Sequence, residues 1–225
     1  MAQMNLITSK TRPWIFLIAL LCGLYPATGN ASMQDIKIST ADEISAFFDN
    51  QDKTVLTFSG YSGSGYEDPE AMLRLARSAL ETFDPQKTIV NIGATKQGIG
   101  AVYQLARKMG FTTTGIVSIL ARENNVEFSP YVDYIFLVED DSWGGLVGDT
   151  GQLSPTSAAI VKVSDVIVGI GGGMIAGEEM TAASQQGKTV QFFPADMNHR
   201  KAIEKARKKG LAVPAEFAGA AAGML

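Results

Sequence analysis

Glu178 and Glu179 follow closely on the glycine run Gly171-Gly172-Gly173, and this stretch is the one best suited to chemistry. Val166 to Ile170 is short, apolar and β-branched, the composition of a buried parallel strand, and Met174 to Gln186 reads as a helix. A strand that ends in bare backbone and turns into a helix presents unpaired N–H groups with no side chain to hold a ligand off. Such a turn suits an anion, most simply a phosphate. Gly171, Gly172, Gly173 and Met174 are therefore candidate phosphate ligands. Carboxylates in the first turns complement the helix dipole, and they can also bind ribose hydroxyls or assist cleavage at a sugar carbon. Glu178 and Glu179 are the candidate catalytic pair, against a plainer reading in which one caps the helix and the other stays solvated.

Two further loops of small residues follow predicted strands. Thr54 to Phe58 leads into Ser59-Gly60-Tyr61-Ser62-Gly63-Ser64-Gly65, and Thr88 to Ile92 leads into Gly93-Ala94-Thr95-Lys96-Gln97-Gly98-Ile99-Gly100. From these come the candidate binding residues Ser59, Gly60, Ser62, Gly63, Gly93, Thr95, Lys96 and Gly98. Lys96 either neutralises a phosphate or is simply solvated, and the hydroxyls either donate to a ligand or cap turns. A fourth glycine-rich stretch, Ser142 to Gln152, contains Trp143, which either stacks on a base or pins the loop to the core. His199 is the single histidine, and without cysteines it makes no zinc set; Glu139-Asp140-Asp141 reads as solvated. No metal site is expected.

The elements that must carry these loops are legible from periodicity. Thr40-Ala41-Asp42-Glu43 has the form of a capping box and predicts a helix to about Asp49. Helices are predicted over Pro69–Phe83, Ile99–Met109, Pro155–Val163 and Arg200–Lys209. Further strands are predicted over 112–120, 131–138 and 189–193, with Arg122 to Pro130 polar and irregular and a short edge strand near Ile36–Ile38. Strand, loop and helix alternate, which is the order of an α/β, doubly wound parallel sheet in three α/β/α layers and a single domain. All three glycine loops follow strands, so they should share the rim where such sheets bind ligands. The basic run Lys201 to Lys209 reads as a solvated helix face, and the Ala/Gly-rich tail over 211–225 is expected to fray.

The first 31 residues have the pattern of a bacterial Sec signal peptide. Lys10 and Arg12 precede the apolar run Trp14–Leu21, and small residues end at Gly29-Asn30-Ala31. Cleavage near Ala31 would place the mature chain in the periplasm or outside the cell, with no later membrane span. Cys22 is the one cysteine and leaves with the leader, so no disulfide or thiol chemistry remains. Residues 32–52 then form an N-terminal extension with its helix, and 53–210 the sheet domain. The net charge of −4 becomes more negative on cleavage, which argues against nonspecific nucleic-acid binding.

The three loops, in this order, resemble the LOG-type proteins of the SLOG group of Rossmann-like nucleotide-binding domains. These are cytokinin-activating nucleoside 5′-monophosphate phosphoribohydrolases, long mislabelled lysine decarboxylases. The resemblance runs from about Thr54 to Phe193. Gly172-Gly173-Met174-Ile175-Ala176-Gly177-Glu178-Glu179 is similar to the family's Pro-Gly-Gly-x-Gly-Thr-x-Glu-Glu, with Gly171 at the proline position and with Ile175 and Ala176 replacing a glycine and a threonine. The family's catalytic arginine has no counterpart in Pro155–Ser164, where Lys162 is the only cation. The resemblance implies a Rossmann-like fold, an AMP-like nucleotide as ligand, no resident cofactor and a homodimer. It makes a nucleotide-binding or sensing module the first expectation and phosphoribohydrolase activity the alternative. An envelope interaction protein with a vestigial pocket is the third.

Overall fold

Seven parallel strands form one sheet in the order β1-β5-β4-β3-β2-β6-β7, and the direction of each crossover decides which face its helix covers. The computed structural model describes residues 34–225, so the leader expected over 1–31 lies outside the described residues. The strands are β1 (Asp35–Ile38), β2 (Thr54–Gly60), β3 (Thr88–Ile92), β4 (Thr112–Ser118), β5 (Tyr134–Val138), β6 (Val166–Ile170) and β7 (Thr189–Phe193). The helices are α1 (Ala41–Asp49), α2 (Pro69–Leu80), α3 (Val102–Lys108), the single turn α4 (Leu120–Glu123), α5 (Pro155–Val163), α6 (Met174–Gln185) and α7 (His199–Lys208). Among the described residues no helix is long and apolar enough to cross a membrane.

From β2 the chain steps outward through β3 and β4 to β5, then returns to the other side of β2 for β6 and β7. Right-handed crossovers moving in opposite directions must place their helices on opposite faces. Leu56, Phe58, Val90, Ile92, Val168 and Ile170 accordingly pack with residues of α2 and α3 in the larger core cluster. Val55, Ile89 and Ile116 point the other way, against Ile44 and Phe48 of α1 and Ala159 and Ile160 of α5. The sheet is therefore covered on both faces, and it has the three-layer, doubly wound, Rossmann-like architecture that the alternation predicts.

Local sequence explains most boundaries. Thr40 and Glu43 close the predicted capping box on α1. Pro155 sits at the start of α5 after Ser154, whose side chain accepts from the Ser157 N–H. Four expectations change. The edge strand expected near Ile36–Ile38 is β1, but its pairing with β5 from Asp35↔Tyr134 to Ile38↔Leu137 makes residues 32–52 part of the sheet domain and not an extension to it. The helix expected from Ile99 opens as a 3-10 turn over Gly98–Ala101, and Arg122–Pro130 is preceded and partly occupied by α4. The tail, expected to fray, is packed against the domain. Ala221 is fully buried, its N–H donates to the Gly172 oxygen at 3.2 Å, and Phe217 accepts from the Met197 N–H at 2.9 Å. Small residues permit this close seat: a methyl on Gly177 would come within 3.1 Å of the Ala221 Cα.

Candidate functional site

β3, β2 and β6 are neighbours at the centre of the sheet, and the chain reverses its progress between β2 and β6. Their glycine loops thus emerge side by side at the topological switch point. A cleft of about 840 Å³ opens there, lined by all three loops, by the stretch Asn124–Phe128 after α4, by Trp143 and by Thr156 and Ile160 of α5.

The three loops contribute unequally. Ser59, Gly60, Ser62 and Gly63 from the first loop line the cleft, as do Gly93, Thr95 and Lys96 from the second and Gly173 and Met174 from the third. Gly98 does not. Its φ of +57° lets it turn against the first loop, where a methyl would collide with the Tyr61 and Ser62 carbonyl oxygens. Ile99 then donates to the Tyr61 oxygen at 2.7 Å, so this part of the second loop braces the first. Gly171 and Gly172 are also withdrawn from the cleft. Gly171, at φ +54°, lies against the Tyr61 ring, and Gly172 accepts from Ala221 of the tail. Their shortage of side-chain atoms serves packing, and of the three only Gly173, with open space around the missing methyl, faces the cleft. Gly173 caps α6 without any side-chain bond to the first turn, so the positive end of that helix opens on the cleft.

Between the first loop, the end of β6 and the tail, the space is filled by the protein itself. Tyr66 donates to the Ile170 oxygen at 2.7 Å and accepts from the Tyr61 N–H at 3.2 Å. Tyr61 donates to Ala218 at 2.7 Å and to Ala195 at 3.1 Å. Burial pushes both phenols up from their ordinary value, which keeps them as donors.

The two glutamates separate into different roles. Glu178 accepts from the Leu146 N–H at 2.8 Å and so holds the Trp143 loop; it does not line the cleft. Glu179 does line it, is only 6% exposed, and accepts from Ser157 Oγ at 2.6 Å and Ser59 Oγ at 3.4 Å. Burial pushes its carboxyl up to about 7, and the two hydroxyl donors offset only part of that rise. A carboxyl poised near neutrality, inside a cleft, has the character of a proton donor or acceptor. Of the candidate pair, Glu179 alone is placed for chemistry.

Behind it runs a polar ladder that the apolar strand patterns conceal. Thr57 of β2, Asn91 of β3 and Thr114 of β4 are aligned neighbours in the sheet. Asn91 donates to Thr57 Oγ1 at 3.3 Å and accepts from Thr114 Oγ1 at 3.1 Å, while Thr57 and Ser164 share a bond of 2.6 Å. Thr57 and Asn91 form part of the cleft floor. Asn91 and Ser157 were absent from the sequence candidates. A lone amide in the run Thr-Ile-Val-Asn-Ile was the available signal for the first; Ser157 had none, since its role depends on α5 meeting α6.

The Trp143 loop is stapled rather than free. Asp140 is buried, not solvated as its acidic neighbours suggested: it accepts from the Thr156 N–H at 2.9 Å, the Ser142 N–H at 2.8 Å and Ser142 Oγ at 2.7 Å. Burial pushes its carboxyl up, but these donors outweigh that and hold it down at about 2. Gly145 donates to Ser157 Oγ at 2.7 Å, linking the loop through that hydroxyl to Glu179. Trp143 is half exposed at the cleft edge. Lys96 pairs with Glu127 across the cleft mouth, and Lys162 pairs with Asp42 at 3.1 Å and does not line the cleft. His199 stacks on Phe217 with ring centroids 4.0 Å apart and meets Asp196 at 3.1 Å, which makes it part of the tail's seat. Among the described residues no group of three His, Cys, Asp or Glu converges on a metal position.

No family model matches the chain, and no curated protein does. Among solved structures it is similar to TM1055, with 24% identity over 61% of this chain and 72% of that one, at a TM-score of 0.43. It is similar also to the Moco carrier protein from Chlamydomonas reinhardtii, with 18% identity over 74% and 91% of the two chains and a TM-score of 0.45. A third is DNA processing protein A (DprA) from Streptococcus pneumoniae, 12% identical over 75% of this chain and 63% of that one, at a TM-score of 0.45.

Proposed function

We propose that the chain binds a nucleotide or nucleotide-derived small molecule in the switch-point cleft, with its phosphate at the first two loops and the start of α6, and its base beside Trp143. The observation that carries this reading is the open, uncapped N-terminus of α6 facing the same cleft as the Ser59–Gly63 and Gly93–Lys96 loops. Backbone N–H groups and hydroxyls there suit phosphate oxygens. The likeness of the three loops to LOG-type proteins points the same way. Export to the periplasm or beyond, and assembly as a homodimer, belong to the same proposal and rest on the leader pattern and on that likeness.

N-glycosidic hydrolysis is the second reading, favoured by one observation: Glu179 is buried in the cleft with its carboxyl raised to about 7. Binding without turnover stands first because cleavage of the bond between sugar and base also needs positive charge beside the ribose phosphate as the base departs and water adds to the sugar carbon, and no arginine lines the cleft among the described residues.

Both readings are tested together. AMP should raise the melting temperature, because a ligand of the folded state stabilises it by mass action. Free adenine should be sought by chromatography with wild type and Glu179→Gln. Adenine released by wild type and lost in the variant would promote the hydrolase reading. No thermal shift and no release, across AMP and its relatives, would end both.

A further inference from the structure

The cleft does not stop at the first loop. On the outer side of Ser62, Gly63 and Ser64 lies a second groove of about 530 Å³, whose other wall is Lys201, Glu204, Lys205, Lys208 and Lys209 of α7 and its end. Lys205 and Ser62–Ser64 line both spaces, so the groove continues the nucleotide cleft. We infer that this groove receives a second anionic group of the same ligand, making the preferred guest a nucleoside di- or triphosphate, or a nucleotide with a comparable charged extension, rather than a monophosphate. The inference rests on the nucleotide reading of the main cleft.

Three observations support it. The positions Lys201, Lys205 and Lys208 recur at the spacing that puts side chains on one helix face, about a third of a turn from the buried Ala202 and Ala206. That face is aimed by the chain itself. Glu67 accepts from the His199 N–H at 2.9 Å and from the Asn198 side chain at 3.2 Å, and Asn198 donates its N–H to Gly65 at 3.2 Å. These bonds lash the start of α7 to the end of the first loop, so its lysines run along that loop. Finally, the lysines are unspent. No ion pair engages Lys201, Lys205, Lys208 or Lys209 among the described residues, and Lys201 makes a single long bond of 3.4 Å to the Gly63 oxygen. In a chain of net charge −4, a groove with four lysines and one glutamate is a local concentration of positive charge. The positive wall faces the same loop whose other side offers the phosphate site.

The test is a calorimetric ladder of AMP, ADP, ATP and inorganic tripolyphosphate, without divalent cations, on the full chain. The proteins compared are wild type and Lys201→Gln/Lys208→Gln/Lys209→Gln, which spares Lys205 because it also lines the main cleft. Exposed ion pairs contribute about 2- to 5-fold each. Wild type should therefore bind ADP and ATP about tenfold or more tighter than AMP, with the advantage shrinking at 0.5 M salt. The triple variant should keep AMP affinity within about twofold and lose most of that advantage. Equal affinity for AMP and ATP in wild type overturns the inference and leaves the nucleotide reading standing. Tripolyphosphate binding as tightly as ATP also overturns it, since the groove would then hold any polyanion independently of the cleft. Failure of every nucleotide to bind ends the inference and the reading together.

Discussion

Replacing Glu179 by glutamine should make the protein more stable at alkaline pH and remove most of its pH dependence between neutrality and acid. The reason is the site's geometry. Glu179 is 6% exposed, with Ser157 and Ser59 as its hydroxyl donors, and burial raises its carboxyl from 4.5 to about 7. The folded chain thus holds that proton more tightly than the unfolded chain does. Stability from the protonated group is fully present below about pH 4.5 and is lost as pH rises through about 7. Each pH unit across that window corresponds to about 1.4 kcal/mol, so ionising Glu179 in place costs about 3 kcal/mol at pH 8. Glutamine keeps the acceptor for Ser157 and never ionises. Urea denaturation from pH 5 to 8.5 is the assay. The wild-type unfolding free energy should fall toward alkaline pH while that of Glu179→Gln stays level, the curves parting by up to about 3 kcal/mol. For a domain of this size each kcal/mol moves the melting temperature by about 2–4 °C. Parallel curves, or a Glu179 carboxyl seen by NMR to titrate near 4.5, would refute the reasoning.

Other perturbations probe the remaining supports. Asp140, held at about 2 by its donors, stabilises the fold above about pH 3.8, and that contribution disappears as pH falls through about 2. Asp140→Ala should cost about 2 kcal/mol at pH 7 and speed amide exchange over residues 142–153. Gly98→Ala should destabilise by about 1–3 kcal/mol in denaturation, since φ is +57° and the methyl meets two carbonyl oxygens. Gly173→Ala, with a negative φ and free space, should change stability by less than about 0.5 kcal/mol. On the nucleotide reading proposed above, it should nonetheless weaken AMP binding about tenfold by narrowing the mouth at α6. Truncation after Glu216 removes the Ala221 plug and the Tyr61 acceptor on Ala218, and should lower the melting temperature by roughly 5 °C or more.

Much of the architecture was legible because it is dictated locally. Thr88–Ile92, Pro155–Val163, Val166–Ile170 and Thr189–Phe193 begin and end where composition and caps place them, since apolar β-branched runs and the Ser-Pro start act over a few residues. Alternation of these elements then leaves a parallel sheet as the only economical arrangement, and short right-handed crossovers carry all three glycine loops to one rim. The identity of that rim follows from chain order alone.

What each glycine does there was decided in three dimensions. Gly171 and Gly173 look alike in sequence, yet one is pressed against Tyr61 and the other opens on the cleft, because the Tyr61 ring and the Ala195 carbonyl close over the first. Glu178 and Glu179 are adjacent, yet a helix turns neighbouring side chains about 100° apart, sending one to a loop amide and the other into the cleft beside β2 and α5. Burial, and with it the carboxyl's raised proton affinity, is a property of what packs nearby and not of the residue. The lysines of α7 make the same point: their spacing announces an amphipathic helix, but only the Glu67 and Gly65 tethers decide that its charged side runs along the first loop. Elements follow from short-range preference, whereas a site is made by contacts between residues far apart in the chain, which local pattern does not encode.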